Sequence, residues 1–513
     1  MTPALDRHEL ERFRALVARR LGLHYEDGKL DYLGEVVRRR MDALGTTQAV
    51  PYFERVASSP SGSEELRALA VELTVNETFF FRNADNFRAF SELVLPERIR
   101  ARGGDKRLRI LSAGCSSGEE AYSLAIRVRE ALPDVSSWEV KILGVDISPA
   151  ILAKARRARY TEWSLRATSE EVRQRYFEPD GKDFVLAPTI QKMVTFEERN
   201  LVEEDPVFWQ SLACDVVFCR NVLMYFAAEK ARDVVRRITQ ALLPSGFFFL
   251  GHAETLRGLT QDFHLCHTHE TFYYRRRSAS EDVSATSVWQ GAAREEPRES
   301  ALPGVVDATA SWVDVIQRAS ERIAALAAVP GRAADTAGGV SPGAARPWDL
   351  SGVLDAVRQE RFSHALDLIS SLPVEAQDDP DALLLRGVLL TNNGRLGESE
   401  AVCARLLALD ELNAGAHYVM ALCREHAGDV SGAIEHDQTA IYLDAGFSMP
   451  HLHLGIMAKR AGDAAIAQRE LGQAAMLLAR EDASRVLLFG GGFSRDALLH
   501  LCQTELRAVG GER

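Results

Sequence analysis

The stretch LSAGCSSGEEAYSLA, residues 111–125, sets two glycines, Gly114 and Gly118, between an apolar run and a helix-like segment. Glycine in a strand-to-helix turn lets the backbone approach a ligand closely, with the first helical amides aimed at it. A second apolar run, VKILGVDIS, ends in Asp146, 28 residues past Gly118. A carboxylate at that strand end is placed to accept from ribose hydroxyls, so the ligand expected is adenosine-bearing, a dinucleotide or S-adenosylmethionine. The turn also matches G-x-S-x-G, the serine-hydrolase elbow. That elbow should follow several strands and an oxyanion loop, yet here it falls on the first clear strand with no HGGG-like segment upstream.

Two further stretches hold chemically capable side chains. TVNETFFFRNADNF, residues 74–87, surrounds three phenylalanines with Asn76, Thr78 and Arg82. DFHLCHTHETFYY places His264, Cys266, His267 and His269 close together, residue types that suit zinc. Alternation along a strand would send neighbours there to opposite faces, so no metal is expected. FGGGFSRD near the C-terminus lacks the lysine-serine ending of a phosphate loop and reads as a turn before the last helix.

The elements that must position these groups follow from periodicity. Up to about residue 70 apolar residues recur three and four apart, predicting helices, one of which carries Arg38, Arg39 and Arg40 as a solvated face or a docking patch. From Arg109 onward RILSAG, VKILGVDIS, DVVFCRN and GFFFLGHAE alternate with helical stretches, which predicts a parallel α/β sheet with ligands at the carboxyl ends of its strands. LLPSGFFFLGHAETL reads as a helix, a turn and an antiparallel strand. With no G-x-G-x-x-G spacing, that arrangement favours the methyltransferase version of the sheet. YFEPDGKDFVLAPTIQKMVTFEERNL, with its Asp180-Gly181 turn, reads as a β insertion at about 170–200. Residues 278–345 are rich in Ala, Ser, Gly, Pro and charge and read as a linker with one helix near 311–328.

A repeat follows. Gly394, Gly428 and Gly462 are 34 apart, with Gly387, Ala421 and Gly455, and Ser399, Ala433 and Ala467, in the same register. This resembles the tetratricopeptide repeat, although its aromatics are largely missing and Asp437 stands where a large residue is usual. Residues 346–484 are thus expected to form stacked helix pairs, either with a concave face for a peptide or protein partner or as a plain spacer, and 485–513 a C-terminal helix or tail.

The chain has 513 residues, 46% of them hydrophobic and 26% charged, enough for several buried cores. Its formal net charge of −12 argues against nucleic-acid binding. No apolar run reaches the length of a membrane span, the N-terminus lacks a signal-like apolar core, and the seven cysteines suggest reduced thiols. A cytoplasmic multidomain protein without membrane insertion is expected.

Six blocks, NETFFFR, AGCSSGEEAYSLA, GVDIS, VTFEERNL, CRNVLMYF and GFFFLGHAETL, occur in the order found in CheR-type chemoreceptor glutamate O-methyltransferases, and the chain resembles that family over about residues 5–277. The resemblance implies a helical domain at 1–75, an S-adenosylmethionine domain at 76–277 with the β subdomain inserted, and the cytoplasmic domain of a methyl-accepting chemoreceptor as substrate. It implies cofactor contacts at Asn76, Thr78, Arg82, Glu119, Asp146, Asn200, Leu201, Arg220 and Asn221, beside the turn glycines Gly114 and Gly118. It also implies a role for Arg82 and Tyr225 in orienting the substrate carboxylate. The expected activity is formation of glutamate methyl esters in chemotaxis-type adaptation. The alternative is a cofactor-sensing scaffold that recruits partners through the repeats. Some members of the family tether to a receptor peptide through a glycine-containing loop of the β subdomain; here that stretch is short and holds only Gly181.

Overall fold

The computed structural model describes residues 5–58, 64–74, 77–132, 134–252, 254–269, 271–278, 350–359, 361–373, 376, 378–491 and 493–510. They fall into two compact units, one ending at residue 278 and one starting at residue 350. Apart from Ser278, the linker expected at 278–345, with its helix near 311–328, lies outside the described residues.

The first unit opens with helices α1 (Arg7–Leu21), α2 (Leu30–Ala43), α3 (Ala49–Ser58) and α4 (Glu64–Leu73). Asp6 and Glu9 form a reciprocal capping box at the start of α1, and Gly22, at φ 74°, ends it. Phe13, Leu33, Val36, Val37 and Leu69 form a fully buried core between the helices. The arginine run on α2 is largely committed within this domain. Arg40 bonds the buried Glu65 at 2.6 Å, Arg39 bonds Glu72 at 2.8 Å, and Arg38 donates to the carbonyl of Gly34.

The main sheet has seven strands: β1 (Arg107–Ala113), β2 (Glu139–Asp146), β6 (Val194–Glu198), β7 (Cys214–Cys219), β8 (Leu242–Leu250), β9 (Phe263–Thr268) and β10 (Thr271–Arg276). Their order is β6-β2-β1-β7-β8-β10-β9, with β10 reversed against both neighbours. The phenylalanine run of β8 lies parallel to β7, Phe247 to Phe249 facing Val216 to Phe218. The antiparallel strand expected there is instead β10. Strand order turns back at β1, between β2 and β7, which opens a crevice at their carboxyl ends. Phe218 and Phe249 stack at 4.4 Å beneath it.

The β subdomain is a three-stranded antiparallel sheet of β3 (Arg159–Thr161), β5 (Asp183–Leu186) and β4 (Phe177–Asp180), with Gly181 at φ 66° in the turn. It starts earlier than the insertion expected at about 170–200. VTFEE does not belong to it but forms β6, paired in parallel with β2. The reason is Phe196, whose ring fills the space beside two glycines. A Cβ on Gly144 would meet that ring at 2.7 Å, and one on Gly118 at 3.0 Å.

In the second unit, Pro380–Asn392 pairs with Leu396–Leu409, Ala414–His426 with Val430–Leu443, and Ser448–Arg460 with Ala464–Leu478. Gly394, Gly428 and Gly462 hold the same left-handed position in the three turns, at φ 71°, 81° and 80°. Close helix crossing explains the other small residues, since a Cβ on Gly387 would sit 2.8 Å from Cys403 and one on Gly455 2.7 Å from Leu471. Asp437 is buried because His453 bonds it at 2.6 Å.

The face expected to lie open is covered. Ala414 to Cys423 are all buried, and Gly415 and His417 lie on opposite sides of that helix. His417 meets His436 of its own pair at 2.9 Å, whereas Gly415 leaves room for Phe489. Phe489 ends a seven-residue helix, Ala483–Phe489, and also contacts Tyr418 and Phe447. Leu487 and Leu488 of the same helix pack on the cluster formed by Ser351–Arg358, Phe362–Ser370 and Pro380–Asn392.

Candidate active site

At the end of β1 the chain makes a turn that a side chain at Gly114 would prevent. Gly114 has φ 73°, and a Cβ there would lie 2.4 Å from Val222. The amides of Gly114 and Cys115 both donate to the carbonyl of Val145, and Ser116 is left-handed at φ 49°. Asp146 fixes the turn by accepting from the amides of Ser116 and Ser148, each at 3.0 Å. Asp146 also lines the cleft, where its carboxylate can accept from the hydroxyls of a ligand. Burial raises its pKa against the pull of those amides.

Two hollows meet at this turn and share Gly114, Ser116, Asn221 and Tyr225. The larger, about 230 Å³, is lined by Thr78, Phe79, Arg82, Glu120 and Arg220. The smaller, about 100 Å³, is lined by Asp146, Ile147, Asn200, Leu201, Val222 and Phe226. The segment after α1 closes the smaller one. His24 donates to the carbonyl of Tyr225 at 2.7 Å, and Leu23 pairs with Phe226.

The three phenylalanines have three separate tasks. Phe80 is fully buried and meets Tyr160 and Phe177 of the β subdomain edge-on at 4.8 and 5.0 Å. Phe81, at φ 55°, packs on Phe87, and its amide donates to Ser123. Phe79 faces the larger hollow, with the Arg166 guanidinium 3.6 Å from its ring centroid. The segment therefore joins the subdomain, the sheet domain and the cleft. Arg82 lines the hollow beside it and donates to the carbonyl of Glu77.

Arg220 is buried. It bonds Glu120 at 3.2 Å and the carbonyl of Arg82 at 2.6 Å, and its Nε has no partner among the described residues. Burial works against the charge of both Arg220 and Glu120, and each is held chiefly by the other. Ser112 donates to the second oxygen of Glu120 at 2.7 Å.

Of the residues proposed from sequence, Thr78, Arg82, Gly114, Asp146, Asn200, Leu201, Arg220, Asn221 and Tyr225 line this cleft. Glu119 does not. Its carboxylate turns away to accept from Ser117 at 2.7 Å, and Glu120, one residue on, faces the hollow. Gly118 is also outside the lining, and its missing side chain makes room for Ala155 and Phe196. Asn76 lies outside the described residues. On β9 and after it, His267 stacks on Phe272 and His269 meets Glu92 at 2.8 Å.

Residues 76–272 match the family model described as CheR methyltransferase, SAM binding domain. Over 277 residues the chain is 34% identical to chemotaxis protein methyltransferase 1 of Pseudomonas aeruginosa, covering 52% of this chain and 98% of that protein. The chain belongs to the CheR methyltransferase family. A further member, the chemotaxis protein methyltransferase of Salmonella typhimurium, is 33% identical over 51% of this chain and 88% of its own length. The probable biofilm formation methyltransferase WspC of Pseudomonas aeruginosa is 27% identical but extends over 90% of this chain and 96% of its own. The matches to the chemotaxis protein methyltransferases thus take in about half of this chain, and that to WspC most of it.

S-adenosylmethionine is the cofactor of this CheR chain, and the cleft suits it. The smaller hollow offers an apolar floor of Ile147, Leu201 and Phe226 beside the Asp146 carboxylate, fitted to adenine and a ribose diol. The larger is lined by Arg220 and Glu120, whose opposite charges suit the carboxylate and ammonium of the methionine end.

Proposed function

We propose that the protein methylates glutamate side chains on the helical cytoplasmic region of a chemoreceptor, a reading in keeping with relatives named chemotaxis protein methyltransferases. The observation that carries this reading is the make-up of the larger hollow. Arg82 and Tyr225 line it, both able to donate to an anion, beside the Arg220–Glu120 pair.

When bound, S-adenosylmethionine supplies an electrophilic methyl on a good leaving group. A glutamate, with a reference pKa of about 4.3, is already ionised at neutral pH, so the site requires no general base. The task of the residues is positioning. Arg82 and Tyr225 orient the carboxylate by directional donors, while Phe79 and Val222 keep water from the reacting centre. Asp146 and Glu120 hold the cofactor's hydroxyl and ammonium groups in register with them.

We further propose that residues 346–484 are tetratricopeptide-like and that 278–345 link them to the 76–277 enzyme. The 34-residue spacing of the turn glycines and the agreement with WspC over 90% of this chain support that organisation. The same agreement favours a second reading of the output, a signalling array controlling biofilm formation rather than swimming, with unchanged chemistry. Incubation with radiolabelled S-adenosylmethionine and candidate receptor fragments tests both. Base-labile label on receptor glutamates supports the reaction, its absence from every fragment sinks it, and the receptor that is labelled identifies the output.

A further inference from the structure

The loop after β7 carries three residues of the cleft, Arg220, Asn221 and Tyr225, and two of them, Asn221 and Tyr225, face both hollows. It is not a regular element that holds its own shape. Asn221 is left-handed at φ 58°, and only the short turn Leu223–Tyr225 follows. Asparagine tolerates that conformation, but a lone left-handed residue persists only where its surroundings enforce it.

The enforcing group is Glu254, from the loop after β8. One of its carboxylate oxygens accepts from the amides of Asn221 at 2.6 Å and Gly251 at 2.7 Å. The other accepts from the amides of Val222 at 2.8 Å and Met224 at 3.2 Å. All four acceptor directions of one buried carboxylate are therefore spent on backbone amides, three of them in the cleft loop. Such convergent amides stabilise an anion by their dipoles, as in an anion-binding nest, and here the anion is the protein's own. Gly251 is a glycine for the same reason, since a Cβ there would lie 2.6 Å from the Glu254 carboxylate and 2.9 Å from the Asn221 amide. The amide of Glu254 donates back to the carbonyl of Gly251 at 3.0 Å. Two residues further, the amide of Leu256 donates to the Tyr274 hydroxyl, fixing the clamp to β10.

We propose that Glu254 is a positioning residue for methyl transfer, whose carboxylate holds Asn221 and Tyr225 at the seam of the two hollows. This rests on the cleft being the methyl-transfer site. Glu254 lines neither hollow and acts only through the loop. Glutamine in its place keeps the shape but turns one oxygen into an NH₂, which would face two backbone amides as donor against donor. Aspartate keeps all four acceptor directions on a shorter stem.

The test uses the full chain as E254Q, E254D, Y225F and the double variant E254Q/Y225F. Thermal melting, calorimetric binding of S-adenosylhomocysteine, and kcat and KM on a labelled receptor fragment are measured for each. E254Q is expected to bind S-adenosylhomocysteine about tenfold or more weakly and to lose kcat at saturating cofactor, because charge-assisted bonds to the loop are lost. E254D should recover a large part of both. In the Y225F background E254Q should lower kcat much less than it does alone, since the tyrosine it places is already disabled; a loss of stability alone would not produce that dependence. Parental affinity and kcat in E254Q would overturn the proposal. So would a full multiplication of the two losses with E254D no better than E254Q. Should E254Q not fold, E254D decides, and parental behaviour there overturns the proposal too. Failure of the parent chain itself to bind S-adenosylhomocysteine would instead refute the cofactor assignment, and this inference with it.

Discussion

Gly114→Ala offers a test of the cleft in which the cost and its relief both come from geometry. Two penalties arise. At φ 73° an alanine sits in the left-handed region, which costs about 1–2 kcal/mol for a residue with a Cβ. Its Cβ would also stand 2.4 Å from Val222 Cγ2, with Cγ1 and Cβ of the same valine next nearest at 3.4 and 3.5 Å. Overpacking of this kind costs about 1–3 kcal/mol. Because all three near atoms belong to Val222, Val222→Ala should remove the second penalty and leave the first. If the turn keeps its shape the cost appears as a lowered Tm, and if the turn yields it appears as weakened binding of S-adenosylhomocysteine, tenfold for each ~1.4 kcal/mol. Calorimetry and thermal melts on Gly114→Ala, Val222→Ala and the double variant separate these. The double variant should lie between Gly114→Ala and the parent. Parental Tm and affinity in Gly114→Ala, or a double variant no better than the single, would refute the steric account.

Asp146→Ala removes the acceptor of the Ser116 and Ser148 amides together with the ribose partner. S-adenosylhomocysteine binding should weaken by at least about 1.5–3 kcal/mol in calorimetry. Phe80→Ala empties a fully buried site between Tyr160 and Phe177, and should destabilise the first unit by about 3–5 kcal/mol in denaturant titrations. Burial by itself would lower the pKa of His453, but the Asp437 and Glu425 carboxylates outweigh it and push it up to about 9. A group raised in the folded state stabilises fully below its unfolded pKa, about 6.5, and that stability fades as pH climbs through about 9. The second unit should therefore melt lower at pH 9.5 than at pH 6, and His453→Gln should flatten that dependence in thermal scans.

The sequence reveals the parts of the site that hang on strand ends and lone glycines. Asp146 and Gly114 fall where the α/β rhythm places them, because a strand's carboxyl end is legible from its apolar run, whereas Arg220 and Asn221 are implied only by the resemblance to CheR enzymes. Which of two adjacent glutamates faces the cleft is a matter of helix phase at a terminus. Ser117 captures Glu119, leaving the inward place to Glu120, and nothing in the residue types announces that. VTFEE alternates as any strand does, and only the fit of Phe196 beside Gly118 and Gly144 assigns it to the main sheet. The direction of β8 was hidden in the same way, since a phenylalanine run is apolar whichever way it runs. Glu254 sits 33 residues from Asn221, and its partners are backbone amides, which leave no trace in side-chain patterns.

The helix Ala483–Phe489 changes how the second unit should come apart. In an open stack of helix pairs each unit touches only its neighbours, so such arrays fray from their ends and lose structure stepwise. Here Leu487 and Leu488 reach the cluster that includes Ser351–Arg358, near the beginning of the stack, while Phe489 reaches Tyr418 and Phe447 further along it. One short helix thus ties early pairs to late ones, and the linear array becomes a closed loop of contacts. Neither end can loosen without disturbing the other. Cooperativity that a string of repeats must otherwise gather interface by interface is supplied by a single cross-tie, and cutting the chain at Arg480 would loosen its first helices along with its last.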